Sequence, residues 1–178
     1  TPSGPWWPDN SSKDYEGAMV PLKSALAHSI NRVSAFLIKQ FGVDPVIKMV
    51  RRMGITSAID PVPSICLGTP DISVYEMTGA MSTFANQGVY VEPTWLVRIE
   101  DKNGNILEDF RPRIVEALDE QTAYLVIELM KGVVEGGTAT RLRGRYGLSN
   151  PIAGKTGTTQ NNSDGWFMGL TPDLVTGV

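Results

Sequence analysis

Gly154-Lys155-Thr156-Gly157-Thr158-Thr159 places a cation, two hydroxyls and an open backbone in one short segment, a combination suited to an anionic acyl substrate. Its first three residues also match the end of a phosphate-binding P-loop. That motif requires a glycine five residues before Gly154, where this chain has Ser149, and Pro151 would interrupt the loop. The residues after Lys155 read as strand, so no helix N-terminus follows for a phosphate. As an edge strand facing a cleft, the segment alternates its side chains: Lys155 and Gly157 share one face, Thr156 and Thr158 the other. Gly157 then lets a substrate approach the backbone. The Thr158 N–H can point at a carbonyl oxygen that turns anionic, while the Thr156 and Thr158 hydroxyls bind a nearby carboxylate.

Around this segment, Ile152 to Thr159 and Trp166 to Leu170 read as strands, and Leu174 to Val178 as a strand barely begun. Upstream, a helix from about Asp119 carries Ala123, Val126, Ile127, Met130, Val133 and Val134 as its buried stripe and stops at Gly136-Gly137. Trp95 to Glu100 and Asn105 to Phe110 flank Lys102-Asn103-Gly104, a hairpin signal. Ser73-Val74-Tyr75-Glu76 forms a capping box for a helix with Met77, Ala80, Met81 and Phe84 inward, ending at Gly88. A loop marked by Pro61, Pro63, Gly68 and Pro70 precedes it. Asp44 as N-cap, Pro45 at the first helical position and Gly54 after Arg51-Arg52-Met53 bracket a shorter helix. Apolar residues from Leu22 to Phe41 keep helical spacing, with Gly42 as the stop. Helices first, then strands mixed with one helix, predict an α+β layer structure.

At 178 residues the chain has the size of one domain and can bury a core. With 16 Lys and Arg against 19 Asp and Glu, no basic excess attracts a phosphate backbone, so nucleic acid is not an expected partner. The single cysteine, Cys66, excludes an internal disulfide and a multi-cysteine metal site, and between Ile65 and Leu67 it reads as a small core residue. No metal or cofactor is expected. The longest apolar runs, such as Phe36-Leu37-Ile38, are too short to span a bilayer, and Thr1 to Pro5 does not resemble a signal peptide. Residues 1–14 read as a surface connection and both ends as cut, which predicts a piece of a larger protein.

Ser29-Ile30-Asn31 adds a hydroxyl and an amide two positions apart, able to shuttle a proton and to grip a peptide carbonyl. Alone it carries little weight, since roughly half of chains this size contain a Ser-x-Asn by chance. Its place before Lys155-Thr156-Gly157 gives it meaning. In that order the two motifs resemble the second and third signature elements of penicillin-binding proteins and class A β-lactamases. The wider stretches are similar to the transpeptidase domain of bifunctional, class A penicillin-binding proteins: Trp7-Pro8-Asp9-Asn10, Tyr15-Glu16-Gly17, Leu26 to Asn31, Gly137-Thr138-Ala139, Gly154 to Thr159, and Asp164 to Pro172. Ile59 to Ser64 and Tyr75-Glu76-Met77 look similar to members from Bacteroidetes-like bacteria. The first signature element, Ser-x-x-Lys, is absent: Asn10, Val20, Phe36 and Ile152 stand three residues before Lys13, Lys23, Lys39 and Lys155.

The resemblance implies a β-lactamase/DD-peptidase-like fold, an antiparallel five-stranded sheet flanked by helices on both faces, with Ser29 on a loop that breaks the Leu22 to Phe41 helix. Residues 1–178 would then be a partial domain, lacking the nucleophile segment and the last strands and stable only beside them. The complete enzyme would cross-link peptidoglycan stem peptides through an acyl-serine intermediate and bind β-lactams, at the extracytoplasmic face of the bacterial membrane, anchored through a region outside this chain. Ser29 would relay the proton toward the leaving nitrogen, Asn31 hold the substrate amide, and Lys155 support the relay. Thr156, Gly157, Thr158 and Thr138 would line the substrate side. A β-lactam- or peptide-binding sensor domain is the non-catalytic alternative. His28 beside Ser29 does not form a Ser/His pair, because helical neighbours point about 100° apart. Trp6, Trp7 and Trp166 read as packing residues in preference to a sugar platform.

Overall fold

The computed structural model describes residues 6–12, 15, 17–159 and 163–178. Thr1 to Pro5 and Glu16 of the stretches quoted above lie outside the described residues.

The Leu22 to Phe41 pattern is two helices, α1 (Leu22–Ala27) and α2 (Asn31–Phe41). Between them Ser29 N–H donates to the Leu26 carbonyl and Ile30 N–H to the Ala25 carbonyl, the paired bonds of a Schellman C-terminus, with Ser29 at φ 53°. Helix α3 (Val43–Arg52) ends the same way around Gly54 at φ 91°, the residue type that adopts this conformation without a steric penalty. Its start differs from the expected one. Gly42, at φ 85°, is both the last cap of α2 and the first of α3, so Asp44 and Pro45 lie inside the first turn and Asp44 caps nothing. Asp44 at the start and Arg51 and Arg52 at the end still match the helix dipole.

Pro63–Leu67 forms a 3-10 turn, and α4 (Val74–Ala85) opens with the expected capping box of Ser73 and Glu76. The hairpin pairs β2 (Arg98–Glu100) with β3 (Ile106–Asp109), its turn held by the Asp101 carboxylate, which accepts from the Asn103 and Asn105 amides. Two short strands, β1 (Val89–Val91) and β4 (Ile114–Glu116), pair across the base of that hairpin. Helix α5 (Glu120–Glu135) is capped by Asp119, whose carboxylate accepts from Thr122 N–H, and a single turn, α6 (Arg141–Gly144), follows.

The remaining strands, β5 (Ala153–Thr158), β6 (Gly165–Leu170) and β7 (Val175–Gly177), form one antiparallel sheet in that order, leaving β5 at an edge. Among the described residues it has three strands. Its inner face brings Ala153, Met168 and Leu170 against Met81 of α4 and Met130 of α5, with Leu26 and Met77 packed around them. On the opposite face the Phe167 ring lies across Gly154 and Gly169, where β-carbons would stand 2.8 Å from it, and packs, as does Leu142 of α6, against Val133, Val134, Ala139 and Ile152. Val133 and Val134 are completely enclosed, a burial that contributes roughly 1.5–3 kcal/mol for each side chain. This packing fixes α5, and with it the Gly136 to Ala139 corner, against the edge strand.

Candidate active site

Which way the β5 backbone faces follows from its pairing. Thr159 N–H donates to the Asp164 carbonyl, and the register runs Thr158 with Gly165, Gly157 with Trp166 and Thr156 with Phe167. Hydrogen-bonded and non-bonded pairs alternate along an antiparallel ladder, so Gly157 and Lys155 bond to β6 while Thr156 and Thr158 turn their backbone groups to the free edge. On the other side Phe167 exchanges both of its backbone bonds with Val178, as that alternation requires. The open edge therefore presents the Thr156 carbonyl and the Thr158 N–H to whatever lies beside it.

Beside it lies the Ser29 loop. Lys155 Nζ donates to Ser29 Oγ at 2.9 Å and to the Thr156 carbonyl at 2.7 Å, joining residues 126 positions apart. Two of its three N–H donors are thereby used, and among the described residues the third has no partner. Burial pushes the Lys155 ammonium below its ordinary pKa, and among the described residues no carboxylate lies within ion-pair distance of it. The site thus holds an uncompensated positive charge, which favours an anion. Ser29 sits in a left-handed conformation that non-glycine residues adopt at a cost of about 1 kcal/mol, so its hydroxyl is held at Lys155 against a local preference for glycine.

The sheet's other face reaches the same edge through Thr138. Its hydroxyl stands 2.6 Å from that of Thr156, and its N–H donates to the Ala27 carbonyl at 3.1 Å, tying the corner after α5 to the end of α1. Thr158 is exposed at the end of β5. Asn31 lies at the first position of α2, and its Nδ2 donates to the Asp9 carbonyl at 2.8 Å. Ser29, Thr138, Lys155, Thr156, Gly157 and Thr158 thus gather along one sheet edge, with Asn31 two residues beyond Ser29 at the start of α2. His28 turns away onto the Tyr15 ring, with centroids 5.3 Å apart. Trp166 joins the inner core as expected, whereas Trp7 is half exposed. The site is an open edge, separate from two apolar hollows of about 540 and 520 Å³ beside α4 and α2.

Two contributors escaped sequence reasoning. Arg143 donates to the Leu148 and Asn150 carbonyls and pairs with Glu135, fastening the lead-in to β5 onto the end of α5. Asn10 accepts from Arg32 N–H at the start of α2. The signal for Asn10 was present in the Trp7-Pro8-Asp9-Asn10 stretch, but its contact spans 22 positions and no local pattern announces it.

A buried cation and a serine hydroxyl thus lie together beside the free edge of β5 on an α+β scaffold. The sequence model of the family described as penicillin binding protein transpeptidase domain matches residues 1–176. Penicillin-binding protein 1A of Aquifex aeolicus is 36% identical over 174 residues, which is 97% of this chain and 23% of that protein. The chain therefore spans under a quarter of that relative's length. The crystal structure of penicillin-binding protein 1A from Haemophilus influenzae superposes with a TM-score of 0.84 at 24% identity, covering 97% of this chain and 31% of that one. Penicillin-binding protein A from M. tuberculosis, solved as an imipenem acyl-enzyme complex, superposes with a TM-score of 0.71 at 20% identity over 88% of this chain and 41% of that one. The fold is β-lactamase/DD-peptidase-like, and the chain belongs to the transpeptidase family of the penicillin-binding proteins. Among the described residues no helix is long and apolar enough to cross a membrane.

Proposed function

We propose that residues 1–178 supply the substrate-binding edge of a peptidoglycan DD-transpeptidase that joins stem peptides through an acyl-serine intermediate and is acylated by β-lactams. The observation that carries this reading is the 2.9 Å contact of Lys155 Nζ with Ser29 Oγ at the free edge of β5. The chain contains no Ser-x-x-Lys, so the nucleophilic serine is assigned to a segment of the whole protein outside these residues. Its hydroxyl oxygen attacks the scissile carbonyl of a D-Ala-D-Ala terminus, and its proton passes through Ser29 to the departing D-alanine nitrogen. The C–N bond breaks, and an acyl ester forms. The Thr158 N–H stabilises the oxyanion, and Asn31 holds the acyl amide. The free Lys155 donor and the Thr156 and Thr158 hydroxyls bind the terminal carboxylate, with Thr138 fixing the Thr156 rotamer. An amine from a second stem then takes the acyl group and returns the proton to the serine oxygen.

A β-lactam presents a strained amide and a carboxylate in the same relation. That fits the acyl-enzyme described for the M. tuberculosis protein. The work is placed at the extracytoplasmic face of the bacterial membrane, where peptidoglycan lies, in a Bacteroidetes-like member. Fluorescent penicillin should label the whole protein, and Lys155→Ala should abolish the label. Absence of labelling in the unaltered whole protein overturns the reading.

A further inference from the structure

The Trp7-Pro8-Asp9-Asn10 stretch bonds to the first turn of α2, where Asn31 stands two residues after Ser29. Helix α2 starts at Asn31 after Ile30, whose side chain accepts no hydrogen bond. The first amides of a helix require acceptors from elsewhere. Asn10 Oδ1 accepts from Arg32 N–H at 3.0 Å, the bond an N-cap side chain would make, delivered here from 22 positions away. Next to it the Asp9 carbonyl accepts from Asn31 Nδ2 at 2.8 Å.

We infer that Asp9-Asn10 is a positioning element for the Asn31 amide: Asn10 caps α2 from outside, and the Asp9 carbonyl takes one of the two Asn31 amide hydrogens. The second hydrogen and Oδ1 are left to face the acyl group of the substrate. A hollow of about 520 Å³ lies among Trp7, Tyr15, Ile30, Val33 and Phe36, and Trp7 is half exposed. The Asp9–Arg32 ion pair, at 3.3 Å with the Asp9 side chain almost fully in water, contributes little. The Asn10 cap and the Asp9 carbonyl are the bonds by which this stretch reaches the Asn31 end of α2. The substrate half of this inference rests on the proposed acyl transfer, whereas the cap does not.

The test uses the whole protein with Asn10→Ala and Asn10→Asp, since a carboxylate can also cap and suits a helix N-terminus. Acylation is compared for penicillin G, which carries a side-chain amide, and 6-aminopenicillanic acid, which has an amine there. Asn10→Ala should slow acylation by penicillin G about tenfold and leave 6-aminopenicillanic acid within about twofold, with Asn10→Asp restoring the difference. Equal loss with both compounds, or no loss, overturns the positioning role. Independently of any acylation, Asn10→Ala should speed exchange of the Arg32 amide and shift the Asn31 side-chain amide resonance. Should the unaltered protein react with neither β-lactam, the proposed function fails. The two NMR readouts still decide the inference, because an unmoved Asn31 resonance overturns it.

Discussion

Gly137 lies so close to Ala27 that a β-carbon there would stand 2.2 Å from the Ala27 carbonyl oxygen and 2.9 Å from Val133 Cα. Both obstacles are backbone, so neither can swing aside. The close approach lets Thr138 N–H reach that same carbonyl and clamps the Thr138 corner onto the end of α1, next to Ser29. Gly137→Ala is expected to cost about 1–3 kcal/mol by overpacking and to slow β-lactam acylation of the whole protein more than about tenfold. Urea denaturation and penicillin labelling measure the two effects, and unchanged labelling would show that the clamp does not set the site.

Five residues earlier, inside α5, the same change meets no such obstacle. A β-carbon at Gly132 would meet Ala27 Cβ and Lys23 Cγ at 3.5 Å, ordinary contact, and its backbone is helical. Gly132→Ala should therefore stabilise the protein by about 0.4–1 kcal/mol through lost freedom in the unfolded chain, read as a higher melting temperature with labelling unaltered.

Ser29 at φ 53° occupies the position where α3 uses Gly54. Ser29→Gly should relieve the left-handed strain, leaving the protein about 1 kcal/mol more stable than Ser29→Ala. Both variants lose the bond to Lys155 and should acylate at least about 100-fold more slowly. Equal stability of the two variants would mean that the conformation carries no strain.

Much of this was legible because it is local. The Ser73–Glu76 capping box and the Asp119 cap join residues three apart, and the Lys102-Asn103-Gly104 turn dictates its own hairpin. The order of Ser29-Ile30-Asn31 and Lys155-Thr156-Gly157 identified the site's parts. What stayed hidden depends on chain geometry. Strands β1 and β4 have three residues each and no run of alternation, and Val89 finds Glu116 only in the folded chain. The start of α3 was misread because Asp44-Pro45 imitates a cap, whereas Gly42 supplies the turn. The Thr138–Thr156 and Asn10–Arg32 bonds cross 18 and 22 positions, and no local spacing announces a contact at that range.

Glu76 does more than close its capping box. Its carboxylate accepts from Thr56 N–H at 2.7 Å, Thr56 Oγ1 at 2.8 Å and Ser57 N–H at 2.9 Å, holding the segment after α3 onto α4. The Ser57 hydroxyl bond, followed by those from Thr56, holds its pKa far below the ordinary carboxylate range. A depressed folded pKa means that this stabilisation is fully present above the unfolded value of about 4.3 and is lost as pH falls below it. Because the group is close to solvent, Glu76→Gln should cost only about 1–2 kcal/mol at pH 7. The variant's stability should fall less than the parent's between about pH 5 and pH 3, and parallel acid profiles would refute the assignment.

Lys155 titrates in the opposite sense. Burial lowers its folded pKa below the unfolded value of about 10.4, so between those two values the unfolded chain binds more protons than the folded one. Stability then rises with pH across that window, and the cost of burying the charge is fully in place below it. Lys155→Met should remove this rise and melt at or above the parent temperature at pH 7, since an unpaired buried charge is replaced by an apolar side chain of similar length. Function should move the other way. The ammonium donates to Ser29 and Thr156, so β-lactam acylation should decline on the alkaline side at a pH below the ordinary lysine value, and Lys155→Met should lower it about 100-fold or more at every pH. Lys155→Arg keeps its charge to much higher pH and should lose the alkaline limb, at a reduced rate because a planar fork replaces a point donor. An alkaline limb that survives unchanged in Lys155→Arg would assign the titration to a different group.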